Sequence, residues 1–112
     1  MTDISEICLK ILFAASKFIS TCALDTDNLA DSVRIFSEQI QKSKIDIFTK
    51  QSISGELLIK LVNLKSSEYE INKLARNISK VNDILQKYDN HNFINRFIYG
   101  RQTIKNLSKI MF

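Results

Sequence analysis

The chain has 112 residues, of which 45% are hydrophobic and 25% charged, with no proline, two glycines and a net charge of +4. That is enough apolar content for one domain to bury a core without a disulfide or a metal, and it excludes an intrinsically disordered chain. Two cysteines and a single histidine exclude a disulfide scaffold and a zinc-finger ligand set.

The first element is a helix over about Asp3 to Ala23. Ile4, Cys8, Ile11, Ala15, Phe18 and Cys22 are spaced 4-3-4-3-4 and share one stripe. Asp3 with Glu6 has the form of a capping box. Ile7, Leu12, Ala14, Ile19 and Ala23 widen the apolar stripe until it nearly encircles the helix. A helix apolar all round is expected at the centre of its bundle. Its polar strip, Glu6, Lys10, Lys17, Ser20 and Thr21, is interrupted by Phe13. Cys8 and Cys22 are 14 residues apart, about 21 Å along a helix, against the roughly 7 Å that a disulfide spans. Both are expected as buried, reduced thiols, which suits a cytoplasmic protein. Lys10 and Lys17 interrupt the most apolar window, so no membrane span is expected, and Asp3 and Glu6 are wrong for a signal peptide.

Leu24–Asp27 is a link, and a second helix follows over about Asn28 to Gln41. Leu29, Val33, Phe36 and Ile40 face inward, whereas Ile35 lies off that stripe. Residues 43–54 read as a helical turn, in which Ser43 and Asp46 are the candidate caps, followed by a loop ending at Gly55. A third helix spans about Gly55 to Leu64. Ser67 with Glu70 is a second capping box and opens a fourth helix over about Glu68 to Tyr88. Ile71, Leu74, Ile78, Val81, Leu85 and Tyr88 give it the cleanest heptad of the chain. Asp89–Asn92 has turn composition. The last helix begins near Asn92, with Phe93, Phe97, Ile104, Leu107 and Met111 as its seam. Gly100 falls on that seam, as a close-packing point or a break. The whole reads as a compact antiparallel all-α bundle of four to five helices.

The only histidine, His91, sits in the Asx-rich turn, and neither glycine belongs to a phosphate-cradling loop. Carboxylates such as Asp25, Asp27, Glu68 and Glu70 lie at helix starts, where capping and the helix dipole explain them. The chain therefore reads as non-enzymatic, with no cofactor, metal or small-molecule substrate implied.

Charge and surface are what remain. Residues 1–70 carry eight Lys/Arg against ten Asp/Glu, whereas residues 71–112 carry eight against two. Lys73, Arg76, Lys80 and Lys87 on the fourth helix, with Arg101, Lys105 and Lys109 on the fifth, form a candidate face for an anionic partner. Residues 61–74 can be laid out as helix, turn and recognition helix, although Leu61 and Lys65 stand where a small residue and a glycine are usual. A DNA- or RNA-binding regulator is therefore the alternative reading. The favoured reading is a protein-binding helical module contacting its partner, or a second copy, through Phe13, Ile35, Ile110, Met111 and Phe112. In size and layout the chain resembles bacteriocin immunity proteins and the small helical chaperones and accessory proteins of bacterial secretion systems; no residue role follows from either likeness. Seventeen isoleucines, nine asparagines and twelve lysines against four arginines fit an AT-rich bacterial or phage genome.

Overall fold

A computed structural model describes residues 3–112. Five helices follow one another: α1 (Ile4–Thr21), α2 (Asp27–Lys42), α3 (Ile47–Val62), α4 (Glu68–Asn90) and α5 (Phe93–Met111). The expected all-α bundle is observed, with no strand among the described residues.

Local chemistry sets most of the boundaries. Ser67 Oγ accepts the Glu70 N–H at 3.1 Å and starts α4, and Asn92 Oδ1 accepts the Asn95 N–H at 2.8 Å and starts α5. The box expected at Asp3 does not form, because its carboxylate accepts the Ser5 hydroxyl at 2.6 Å. That bond also holds the Asp3 carboxyl below its ordinary value. α3 begins eight residues earlier than expected. The Asp46 carboxylate caps it by accepting the Thr49 N–H at 3.3 Å and the Thr49 hydroxyl. Gly55 then falls inside the helix. An internal glycine costs only about 1 kcal/mol, less than capping and the burial of Ile53 and Leu57 supply. Gly100 is likewise internal to α5. A Cβ there would meet nothing within 4 Å, so it is neither a break nor a close-packing point.

The helices form two layers. α3 packs on α1 on one side and on α5 on the other, so these three make a row. α2 and α4 make the second row, joined to the first through α1–α2, α2–α3 and α4–α5 contacts. The principal extents of 47 × 29 × 20 Å fit this arrangement, since two helix layers at 8–10 Å between axes are about 20 Å thick. Small residues bring α2 and α4 together. Ser32 Oγ bonds the Ala75 carbonyl at 3.4 Å and Ser79 Oγ at 3.1 Å, and the Asn82 amide donates to the Ser32 carbonyl at 3.2 Å. At the far end Asp89 accepts from Ser43 Oγ at 3.1 Å and from the Lys44 N–H at 2.9 Å. Both helices therefore finish at the same end and run parallel, as alternate members of an up-and-down chain do. Asp89 and Asn90 belong to α4, not to a turn.

The core lies between the layers. α2 and α4 supply six and seven buried residues to it, and α1 only three, Cys8, Ile11 and Ala15. The expectation that the first helix is central is therefore wrong. In a two-layer bundle no helix is encircled, and the second apolar side of α1 faces outward.

Candidate functional site

That outward side is part of a larger pattern. A helix turns 100° per residue. On this wheel Leu9 and Phe13 lie on the side of α1 away from Cys8, Ile11 and Ala15. Phe48, Ile59 and Val62 lie opposite Ile53, Leu57 and Leu61 of α3. All five outward side chains are exposed. α5 buries only Leu107 and Met111, both near its C-terminal end, while Phe93, Ile94, Phe97 and Ile98 near its start are exposed. By contrast α2 exposes no large hydrophobe and α4 only Tyr69. On the wheel Ile94 and Ile98 lie on the side of α5 away from Leu107 and Met111, whereas Phe93 and Phe97 share the buried side but stand beyond the end of the core. Leu9, Phe13, Phe48, Ile59, Val62, Ile94 and Ile98 make the outer side of this layer apolar, and that of α2 and α4 is polar.

Phe13, Phe48, Phe93 and Phe97 are 73%, 74%, 77% and 85% exposed. At about 200 Å² per ring, these four alone leave roughly 600 Å² of aromatic surface in water. An ordinary monomer's largest apolar patch is about 300–600 Å², so this is a large aromatic exposure for a chain of this size, although the α5 rings face a different way from Phe13 and Phe48.

Only part of the surface expected from the sequence survives. Phe13 and Phe112 are exposed. Ile110 is half-buried against the core. Met111, expected on a free apolar tip, is 1% exposed and is a core residue. Ile35 lies in the second layer, in the groove between α2 and α4, beside Arg76 and Lys80. The five expected contact residues therefore do not form one surface. Phe93 and Phe97, expected in the seam, are the most exposed phenylalanines of the chain. Helix phase carried no signal for this, since Phe93 and Phe97 lie within about 40° of Met111 around α5 and are exposed only because the core ends short of them.

The cations separate into two groups. Lys73, Arg76, Lys80 and Lys87 are exposed on α4, whereas Arg101, Lys105 and Lys109 are exposed on α5. α3 and α4 do not pack against each other, so residues 61–74 are a link between layers and not a packed helix-turn-helix pair.

His91 and Cys8 are held in packed surroundings, and His91 Nδ1 is buried without a hydrogen-bond partner. The His91 ring meets Tyr99 edge-on at 6.1 Å, and its carbonyl accepts from Arg96 at 2.5 Å, which ties the end of α4 to the start of α5. Burial pushes the Cys8 thiol up, so it is a poor nucleophile. Cys8 and Cys22 are both free. Among the described residues no three His, Cys, Asp or Glu side chains gather where they would hold a metal ion, and no helix is long and apolar enough to cross a membrane. No known family model, curated protein or solved structure matches the chain.

Proposed function

We propose that this chain is a non-enzymatic, protein-binding helical module of the adaptor, inhibitor, immunity or chaperone kind, placed in the cytoplasm, where its two thiols stay reduced. The observation that carries this reading is the apolar outer side of the α1–α3–α5 layer, where Phe13 of α1, Phe48 of α3 and Ile98 of α5 stand in water. Burying a phenylalanine is worth about 2 kcal/mol, or roughly 30-fold in affinity per ring. Such rings are anchors, and the aliphatic side chains around them, Leu9, Ile59, Val62 and Ile94, add the further apolar area needed to offset the cost of association.

The test is the triple variant Phe13→Ser, Phe48→Ser, Ile98→Ser. Partner capture from the native cell and size-exclusion chromatography with light scattering should both lose the association seen with the unmodified chain. The scattering mass reports whether the lost occupant is a second copy. The denaturation midpoint should not fall, because surface substitutions change stability by only about 0.5 kcal/mol. Intact association in the variant, or a collapsed midpoint, would refute the assignment of this face.

A further inference from the structure

The opposite layer carries a second surface, independent of the apolar face. Lys73, Arg76, Lys80 and Lys87 fall within about 60° of one another around α4, opposite its buried residues. They form a straight row about 21 Å long at 1.5 Å per residue. All four are exposed, and none is in an ion pair. The ion pairs of the described residues join Arg34 to Asp31 and Glu38 on α2, and Lys60 to Glu56 on α3. The carboxylates near the row are Asp83, on its border between Lys80 and Lys87, Glu70 at its start and Asp31 across the groove from Arg76 and Lys80. Asp31 is engaged by Arg34. Cations therefore outnumber free carboxylates along the row.

The surroundings choose among anionic partners. A protein interface needs an apolar centre, and its core is poor in charge. A membrane surface is held by apolar side chains inserted beside the cations. The α2–α4 layer offers neither, since Tyr69 is its only exposed large hydrophobe and Lys73 already lies over that ring at 5.9 Å. A regularly charged polymer needs only a row of unpaired cations. We infer that the outer stripe of α4 binds the phosphate backbone of a nucleic acid, without reading its sequence.

Fluorescence anisotropy with the full chain tests this on a DNA duplex of about 20 base pairs and an RNA strand of similar length, between about 50 and 200 mM salt. Four contacts at about −0.9 each predict a slope of log affinity against log salt of roughly −3 to −4 on duplex, and of −2 to −3 on a single strand. The tighter of the two names the natural polymer. The variant K73Q/R76Q/K80Q/K87Q should lose at least about tenfold in affinity and more than half of the slope. The control K10Q/K17Q/K42Q/K44Q removes the same charge from exposed lysines elsewhere and should lose less than about threefold. Equal losses would reduce the effect to net charge and overturn the inference, as would the absence of binding at the lowest salt. Stripe-dependent binding to phosphatidylserine vesicles without nucleic-acid binding would overturn it in favour of a membrane. Lysine acetylation of the unmodified chain gives a readout that needs no variant to fold. The duplex or RNA should protect Lys73, Lys80 and Lys87 and leave Lys10 and Lys17 reactive, and uniform protection would count against the stripe.

Discussion

Replacing Met111 by alanine tests how α5 is attached. Leu107 and Met111 are its only buried side chains, and only Ile110 adds partial burial against the core. Met111 is 1% exposed, so truncation removes three heavy atoms from a packed site and leaves a cavity, at about 3 kcal/mol within the usual range of 2–5. Domains of this size have total stabilities of about 5–15 kcal/mol, so the loss is a large fraction. With a urea dependence near 1.5–2 kcal/mol per molar, the midpoint should fall by about 1.5–2 M. Phe112 is the internal control. It is the adjacent residue and the larger side chain, yet it is 66% exposed, and Phe112→Ala should shift stability by less than about 0.5 kcal/mol. Urea unfolding followed by circular dichroism measures both. If the two variants share a midpoint, Met111 is not in the core, and the two-layer account of α5 is wrong.

Ser54 is fully buried, and its hydroxyl has no hydrogen-bond partner. Ser54→Ala keeps the shape and removes the unpaired group, so it should stabilise by about 1 kcal/mol and raise the melting temperature by about 4 °C; a fall would reveal a partner for the hydroxyl. The raised Cys8 thiol carries less thiolate than an ordinary cysteine at pH 7–8, and its side chain is buried, whereas Cys22 is partly exposed. Iodoacetamide should therefore modify Cys22 well before Cys8, and raising the pH to 9 should still leave Cys8 behind. Equal rates by peptide mass spectrometry would show that α1 is not docked on the core.

The sequence by itself determined the elements that local chemistry controls. The Ser67–Glu70 cap and the heptad of Ile71 to Leu85 located α4, and the Leu29 to Ile40 stripe located α2, because each has one apolar side and nowhere else to put it. Where local signals competed, pattern reading erred. Gly55 looked like a boundary and proved affordable inside α3, since the Asp46 cap and the burial of Ile53 outweigh its cost. Only the tertiary structure decided the fate of α1, α3 and α5. Each has more apolar surface than one neighbouring layer can cover. Periodicity measures how wide an apolar arc is, whereas which part of it is covered depends on where helices distant in the chain come to lie. Phe97 stands in water and Met111 in the core for that reason: α5 meets the core at its C-terminal end, and nothing in the spacing of its own residues specifies which end that is.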